Sequence, residues 1–322
     1  MRILVTGGAG FIGSNLVEHL LQKEEVQLVR VLDNLATGSL DNLKEFNEHP
    51  KFEFIEADIR NYQACTEACE GIDLISHQAA LGSVPRSIKD PLTSNDVNVT
   101  GTLNIFTAAK EKGIKRVVYA ASSSTYGDHP GLPKIEDRIG KPLSPYAVTK
   151  YVNELYAHVF ANVYGLELIG LRYFNVFGPK QNPKGPYAAV IPIFMKAVLD
   201  NEPPTINGDG EHSRDFTYVA NAVLANERAL FAGNPESVNE VYNIAYGEKT
   251  SLNELFEMIK EIAGSDLAPK YGPERKGDVK QSLADISKAA KLIGYNPAVN
   301  IKQGLKTTFE WYRNHHHFSY ST

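Results

Sequence analysis

Short apolar runs alternate with amphipathic stretches along the first half of the chain. Residues 2–6 form a β-type run, and residues 14–22 place apolar side chains at helical spacing. Further strand-like runs and one long helical stretch follow, at residues 28–32, 52–55, 74–75, 116–120 and 99–112. This alternation predicts an α/β fold whose parallel sheet is covered by helices on both faces.

The second half of the chain predicts fewer elements. A loop containing proline and glycine begins at residue 181 and leads into an apolar helical stretch that ends near residue 199. A strand at 240–245 is expected to return to the main sheet. Ser251 and Glu254 have the spacing of a capping box, and a last helix is expected at 301–313. A chain of 322 residues also exceeds the usual size of one core.

A glycine-rich turn joins the first predicted strand to the first predicted helix. Gly7 permits a tight turn, Gly10 allows the backbone to approach a diphosphate, and Gly13 allows the helix to pack on the strand. Asp33 ends the next strand, twenty residues after Gly13. A carboxylate there accepts hydrogen bonds from ribose hydroxyls and repels a 2′-phosphate. We therefore expect a Rossmann-type doubly wound domain that binds NAD rather than NADP.

Polar side chains follow three of the later strands. Asp58, Gln78 and Ser122 stand at predicted carboxyl ends, where a doubly wound sheet binds its ligand. Tyr146 and Lys150 follow a Ser-Pro helix start and share one helix face. A phenol held beside an ammonium can take the proton of a secondary alcohol while hydride leaves the same carbon, provided that its pKa is lowered. These residues predict a redox enzyme.

Composition excludes some other classes of protein. A net charge of −5 gives no reason to expect nucleic-acid binding, and no apolar run is long enough to span a membrane. We expect a cytoplasmic protein without a metal site. Cys65 and Cys69 fit two buried packing residues on one helix face, and His77 lacks partner ligands in the sequence. Trp311 is expected to pack, and His315 begins a histidine run that fits a frayed terminus.

Taken together, these motifs resemble the extended short-chain dehydrogenase/reductase family, in its nucleotide-sugar epimerase branch. The markers run through nearly the whole chain in order, and include residues 6–13, 33–34, 77–80, 98–102, 122–124, 146 with 150, 172–178, 208–216 and 277–278. The resemblance implies an NAD-binding domain of residues 1–180 plus about 216–246. It also implies a smaller, interleaved α/β domain for a UDP-sugar, at about 181–215 plus 247–322. A homodimer through the helices near 99–112 and 146–161 is implied as well.

The resemblance also implies a set of contacts. Ser122, Tyr146 and Lys150 would be catalytic. NAD would be bound by Gly7, Gly10, Phe11, Ile12, Gly13, Asp33, Asn34, Thr37, Gly38, Asp58, Ile59, Gln78, Ala79, Ala80, Asn98, Tyr146, Lys150, Tyr173 and Val176. The UDP-sugar would be bound by Gly82, Ser83, Ser122, Ser123, Ser124, Tyr146, Asn175, Ala189, Val190, Arg214, Arg275, Asp278 and Ser282.

This sequence departs from related enzymes at two places, and these departures narrow the choice of reaction and substrate. The sugar 4,6-dehydratases carry an Asp-Glu pair directly after the hydroxyl residue, and the decarboxylating relatives carry a glutamate two places after it. Here those places hold Ser123 and Ser124, which do no acid-base work at neutral pH. Simple C4 epimerisation remains. Where epimerases restricted to plain hexoses have a bulky tyrosine, this chain has Ser282, which leaves room for an acetamido group. Residues 77–86, 175–178 and 187–190 resemble the bacterial UDP-N-acetylglucosamine 4-epimerases, which implies an acetamido pocket lined by Gly82, Ser83, Ala189 and Ser282.

Two alternatives stay open at this point. A UDP-hexuronate 4-epimerase needs a cation for the sugar carboxylate, and Arg86 could serve. A non-catalytic NAD-binding sensor protein is also compatible with the cofactor motif. The presence of Ser122, Tyr146 and Lys150 together favours an enzyme, since a sensor would tolerate the loss of any one of them.

Overall fold

The computed structural model describes residues 1–183, 188–274 and 280–315. In these ranges the chain forms thirteen strands: β1 (Arg2–Thr6), β2 (Leu28–Asp33), β3 (Phe52–Glu56), β4 (Leu74–His77), β5 (Arg116–Ser122), β6 (Glu167–Tyr173), β7 (Val176–Phe177), β8 (Thr205–Asn207), β9 (Ser213–Arg214), β10 (Thr217–Tyr218), β11 (Glu240–Ile244), β12 (Thr250–Ser251) and β13 (Lys270–Gly272).

The same ranges hold eleven α-helices: α1 (Phe11–Leu21), α2 (Tyr62–Ala68), α3 (Val84–Lys89), α4 (Pro91–Asn95), α5 (Gly101–Glu111), α6 (Pro145–Tyr164), α7 (Val190–Asp200), α8 (Val219–Leu230), α9 (Leu252–Ala263), α10 (Ser287–Ile293) and α11 (Ile301–His315). A π-helical turn covers Asp96–Thr100, immediately before α5, and a 3₁₀-helix covers Ser123–Tyr126.

Seven parallel strands form the central sheet in the order β11-β6-β5-β4-β1-β2-β3. Successive side chains of a strand point to opposite faces, and both faces are apolar. In β1, Ile3 and Val5 pack into a core with α1 and α8, whereas Leu4 packs into a second core with α2, α5 and α6. The doubly wound Rossmann-type fold predicted from the alternation is confirmed.

Several element boundaries differ from those predicted. α1 begins at Phe11, three residues before the predicted start, because Gly10 already occupies its N-cap. The predicted helix at 99–112 is divided into the π-helical turn and α5. Two predictions for the second half of the chain are confirmed. β11 joins the main sheet beside β6, and the Ser251–Glu254 capping box is present at the start of α9.

A smaller lobe lies beyond the sheet and is built from α7, α9, α11 and short strand pairs. Phe194 of α7 meets Phe256 of α9 edge to face, with ring centroids 5.2 Å apart. β8 pairs with β13, and β9 pairs with β12. The core of this lobe is continuous with the α1/α8 core of the sheet. The exact division of the chain into two domains stays a prediction.

The cysteines and Trp311 behave as packing residues. Cys65 and Cys69 are fully buried free thiols, and burial raises the pKa of each to about 12. Trp311 packs against the core and stacks on His315, with ring centroids 4.5 Å apart. Across the described residues, no helix is both long and apolar enough to cross a bilayer, and no cluster of side chains suits a metal ion.

Candidate active site

The turn between β1 and α1 is built without side chains. Gly7 has a φ of +69°, and a Cβ there would lie 2.6 Å from the backbone nitrogen of Ala79. A Cβ on Gly13 would lie 2.1 Å from the carbonyl oxygen of Gly7. Only glycine fits these positions, because real Cβ contacts are never so short. The turn therefore presents bare backbone at the N-terminus of α1, as a diphosphate requires.

Asp33 lies at the end of β2, beside that turn. Its carboxylate accepts hydrogen bonds from the backbone N–H of Ala9 at 2.9 Å and of Leu35 at 2.8 Å. Burial raises the pKa of Asp33, and the two backbone donors oppose that rise. The side chain is thus held rigidly where β2 meets the glycine turn.

A second carboxylate, Asp58, follows β3 at the same edge of the sheet. It accepts hydrogen bonds from the Arg60 guanidinium, at 2.7 Å from Nη2, and from Asn34 Nδ2 at 2.8 Å. These bonds, led by that from Arg60, lower the pKa of Asp58 to about 2. Asp58 is therefore ionised at neutral pH and has a fixed orientation.

A cavity of about 580 Å³ runs from this edge to the end of β5. Gly7, Asp33 and Asp58 line one end, and Ser122, Tyr146 and Lys150 line the other. Gly7, Asp33, Asp58 and Ser122 stand at or just after the carboxyl end of a strand. Tyr146 and Lys150 lie near the start of α6. The cavity has the place expected of a ligand site in a doubly wound sheet.

Three side chains form the reactive end of the cavity. Ser144 caps α6 by accepting from the Ala147 N–H, Pro145 begins the helix, and this places Tyr146 and Lys150 one turn apart. Lys150 Nζ donates to the carbonyl oxygen of Ala120 at 2.8 Å and lies 6.0 Å from the centre of the Tyr146 ring. Tyr146 shares a side-chain hydrogen bond with Ser122.

The pKa values of this end are shifted by burial. Burial raises the pKa of Tyr146, and the hydrogen bond with Ser122 partly offsets that rise. Burial lowers the pKa of Lys150 to about 8. The chain by itself therefore does not produce the lowered Tyr146 pKa that the sequence leads one to expect. Such a lowering would need a further positive charge beside the phenol, which the nicotinamide of NAD would supply.

Two buried polar networks hold the walls of the cavity. In the first, Tyr173 donates to Gln78 Oε1 at 3.0 Å and accepts from Asn226 Nδ2 at 2.7 Å, while Gln78 Nε2 donates to Asn226 Oδ1 and to Ser76. Asn226 is fully buried in α8. It thus fixes two cavity residues from the face of the sheet that α8 covers.

The second network surrounds His77. Its Nδ1 and Nε2 lie 2.6 Å and 2.9 Å from the hydroxyls of Thr6 and Thr102. Burial lowers the His77 pKa to about 3, so the ring is neutral. This agrees with the packing role that the sequence predicts. Asn98 continues the network by binding the backbone of Leu81 and the hydroxyl of Thr149.

Comparison with known proteins agrees with this geometry. A family model described as "NAD dependent epimerase/dehydratase family" matches residues 3–245. A putative UDP-glucose 4-epimerase of Methanocaldococcus jannaschii is 40% identical over 314 residues, covering 97% of this chain and 98% of that protein.

The chain belongs to the NAD-dependent epimerase/dehydratase family.

Two solved structures of the family are also similar. One is a UDP-N-acetylglucosamine 4-epimerase from Methanobrevibacter ruminantium in complex with UDP-N-acetylmuramic acid. It has 40% sequence identity and a TM-score of 0.92, covering 97% of this chain and 98% of that chain. The other is a UDP-glucuronic acid 4-epimerase from Bacillus cereus with UDP-glucuronic acid and NAD. It has 32% identity and a TM-score of 0.90, covering 98% of this chain and 99% of that chain.

The described cavity fits the family's cofactor. Bare glycine backbone meets a helix N-terminus at one end, and Asp33 follows β2, where doubly wound folds carry the acid that binds ribose hydroxyls. Most of the residues predicted to bind NAD line the cavity: Gly7, Gly10, Phe11, Ile12, Gly13, Asp33, Asn34, Thr37, Asp58, Ile59, Gln78, Ala79, Ala80, Tyr146, Lys150, Tyr173 and Val176. Gly38 instead packs on the backbone of Ala9, and Asn98 acts through Leu81.

The residues predicted to bind the sugar nucleotide are more dispersed. Gly82, Ser83, Ser122, Tyr146 and Asn175 line the cavity. Ser123, Ser124, Ala189, Val190, Arg214 and Ser282 are described but stand outside its lining. Arg275 and Asp278 lie outside the described residues. Five of the thirteen residues predicted to bind the sugar nucleotide thus lie at the cavity, and the binding roles of the whole set stay a prediction.

Some cavity residues were not predicted from the sequence. Arg60, Leu81, Thr93 and Gln181 line the cavity. Arg60 could have been found, because it stands two residues after Asp58, the spacing of an Asx turn. Asn226 carries no such signal, since it reaches Gln78 from 148 residues away.

Proposed function

We propose that this chain catalyses the reversible C4 epimerisation of UDP-N-acetylglucosamine to UDP-N-acetylgalactosamine, with UDP-glucose and UDP-galactose as a second pair. The observation that carries the proposal is the meeting of Ser122, Tyr146 and Lys150 at one end of the cavity that the glycine turn and Asp33 close at the other. A sugar carbon placed there faces a proton acceptor, a hydrogen-bond donor and the cofactor site together.

Each side chain has a separate role in this proposal. Tyr146 takes the proton of the C4 hydroxyl and returns it after the sugar has turned over. Ser122 donates a hydrogen bond to the sugar O4 as charge develops there. Lys150 holds a ribose hydroxyl and keeps a positive charge near the phenol. When bound, NAD supplies the hydride acceptor that the protein side chains lack.

The positions of the carboxylates in the cavity support epimerisation over dehydration. Among the described lining residues the carboxylates are Asp33 and Asp58, and both stand at the glycine-turn end. Ser123 and Ser124 occupy the places where dehydratases carry their acid-base pair. Loss of water from the sugar would need such a pair close to Ser122.

The small side chain of Ser282 supports an N-acetylated substrate. Its backbone N–H donates to the carbonyl oxygen of Ser213 at 3.1 Å, which places it next to Arg214. A serine leaves space that a tyrosine would fill. Replacing Ser282 by Tyr is expected to abolish turnover of the N-acetylated sugar while UDP-glucose is still converted. Equal loss on both sugars would contradict this assignment.

A UDP-hexuronate 4-epimerase is the second candidate, because a relative of similar fold is named as one. Its sugar carboxylate requires a cation. Arg86, the residue that the sequence offers for this role, stands outside the lining of the cavity as described, and so does Ser282. The lining therefore does not separate the two sugars, and the choice of the acetamido sugar rests on the small side chain of Ser282.

A homodimer through α5 and α6 is part of the proposal. α6 exposes a row of apolar side chains at helical spacing, with Leu155 51%, Val159 48% and Val163 64% exposed. Such a continuous apolar face fits a second copy of the chain. Val159→Glu is expected to yield a monomer in sedimentation velocity, with Glu310→Lys on the surface of α11 as control.

The direct test is incubation of the purified protein, without added cofactor, with UDP-N-acetylglucosamine and separately with UDP-glucose. The C4 epimers are then resolved by chromatography. Faster conversion of the acetylated sugar supports the proposal. Conversion of UDP-glucose alone would overturn the substrate assignment, and conversion of neither sugar but of UDP-glucuronate would favour the second candidate. A Tyr146→Phe variant that kept full activity would contradict the mechanism.

A further inference from the structure

Three consecutive serines end β5 and begin the 3₁₀-helix at Ser123–Tyr126. Ser122 caps this helix, and its Oγ accepts a hydrogen bond from the backbone N–H of Ser124 at 3.2 Å. The hydroxyl of Ser124 donates to the same Oγ at 2.8 Å. Ser124 therefore directs both of its donors at Ser122.

The number of lone pairs determines what Ser122 can do next. A hydroxyl oxygen accepts two hydrogen bonds and donates one. With both acceptor positions taken by Ser124, the remaining group of Ser122 is its proton. Tyr146 and Ser122 line the same end of the cavity, and Ser122 lowers the pKa of Tyr146, so that proton is available to the phenol oxygen. A bond donated to the phenol oxygen favours the phenolate.

We propose that Ser124 is a positioning residue that keeps the Ser122 hydroxyl oriented as a donor, toward Tyr146 before the sugar binds and toward the sugar O4 afterwards. This inference deepens the function proposed above and rests on it for the identity of the sugar. It replaces the direct sugar contact that the sequence suggests for Ser124. The residue acts on catalysis only through Ser122.

The consequence for the reaction is a choice between two orientations. Without the Ser124 hydroxyl, one acceptor position of Ser122 becomes free and its hydroxyl can rotate. Ser122 can then accept a hydrogen bond from the phenol instead of donating one to it. In that orientation Tyr146 stays protonated, and a protonated phenol cannot take the proton of the sugar hydroxyl.

The test compares Ser124→Ala and Ser124→Thr with the wild-type protein. Ser265→Ala is the control, because it removes another locally hydrogen-bonded serine hydroxyl, one that accepts from the Leu267 N–H and stands outside the cavity lining. The first readout is the separate measurement of kcat and KM with UDP-N-acetylglucosamine. The second is the ionisation of Tyr146 in the NAD-loaded protein, from phenolate absorbance against pH, with Tyr146→Phe as the blank.

We expect Ser124→Ala to lower kcat about tenfold, the value of one hydrogen bond, with little change in KM. The Tyr146 titration should move to higher pH, and Ser124→Thr should restore both values. A rise in KM with unchanged kcat and an unmoved titration would overturn the proposal, because it would indicate direct sugar binding. An unchanged variant would overturn it as well.

The absorbance titration needs no sugar, so it separates the two proposals. If wild-type protein converts no UDP-sugar but Ser124→Ala still moves the Tyr146 titration, the positioning role stands and the function fails. If turnover is normal and the titration does not move, the function stands and the positioning role fails. Ser124→Cys, which is nearly isosteric and a weak donor, takes the place of Ser124→Ala if that variant does not fold, with the same direction expected.

Discussion

Asn98 holds both backbone polar groups of Leu81 with one side chain. The Leu81 N–H donates to Asn98 Oδ1 at 2.8 Å, and Asn98 Nδ2 donates to the Leu81 carbonyl oxygen at 3.2 Å. The same Nδ2 reaches the hydroxyl of Thr149 in α6. The π-helical turn thus joins the segment that lines the cavity after β4 to the helix that carries Tyr146.

Replacing Asn98 by Ala should therefore loosen the cavity without removing a reactive group. The buried polar groups of Leu81 would lose their partners, at a cost of about 1–3 kcal/mol in the free energy of unfolding. NAD should be bound more weakly, measured by titration of the cofactor-stripped protein. Asn162→Ala, on the exposed part of α6, should change neither value. Full NAD affinity in Asn98→Ala would contradict the role given to Asn98.

The lowered pKa of Lys150 predicts a loss of activity at alkaline pH. Its pKa is lowered by burial to about 8, so its charge is present below that pH and is lost as the pH rises through it. We expect kcat/KM to fall above about pH 8. Lys150→Met should have low activity at every pH and lack this fall.

A surface lysine supplies the control for that experiment. Lys110 Nζ lies 5.3 Å from the centre of the Tyr164 ring, a similar arrangement away from the cavity. Lys110→Met should keep the wild-type profile. A wild-type profile that stays level far above pH 8 would show that the Lys150 charge is not needed.

We expect Asp33 to make the protein bind NAD in preference to NADP. We expect its buried carboxylate to bind the adenosine ribose, and there it would repel a 2′-phosphate strongly because both charges are shielded from water. Asp33→Ser should weaken NAD binding by about tenfold or more, through loss of a charged hydrogen-bond acceptor. NADP binding should weaken less than NAD binding, so the ratio of the two affinities should become smaller. Calorimetric titration with both cofactors tests this, with Asp41→Ser as the exposed control.

Gly13 tests the packing of the glycine turn. An alanine Cβ at this position would overlap the carbonyl oxygen of Gly7, so the turn and α1 must move apart. Gly13→Ala should lose measurable NAD binding and lower the free energy of unfolding by about 1–3 kcal/mol. Gly233→Ala is the control, because a Cβ there meets no atom within 4 Å. Retained NAD binding in Gly13→Ala would show that the turn is not the cofactor cradle.

The parts of the site that are local in sequence could be predicted from the chain. The Gly7–Gly13 turn, Asp33 and the Tyr146/Lys150 pair each depend on one strand-turn-helix unit or one helix turn. The strands and the helices on both faces of the sheet follow from apolar periodicity, which is set by short stretches of backbone. The return of β11 to the sheet beside β6 is a long-range pairing that the family resemblance, and not periodicity, led one to expect.

Contacts made by packing could not be predicted in this way. Asn226 reaches Gln78 and Tyr173 only because α8 packs across the sheet, and no local pattern records that distance. Ser124 is close to the site in sequence, yet its direction toward Ser122 follows from the 3₁₀-helix that replaces an extended strand end. The π-helical turn at Asn98 was likewise hidden inside a helical apolar pattern.

The position of β11 at the edge of the sheet affects how the protein is made. β11 pairs with β6 and follows α8, whose Asn226 completes the cavity wall, so both arrive from residues 219–244. When only the first 180 residues have left the ribosome, the nascent chain has a sheet in which one edge of β6 is unpaired. Its cavity also lacks the wall that Asn226 completes. We expect this nascent intermediate to depend on chaperones and to acquire its nucleotide only late in translation.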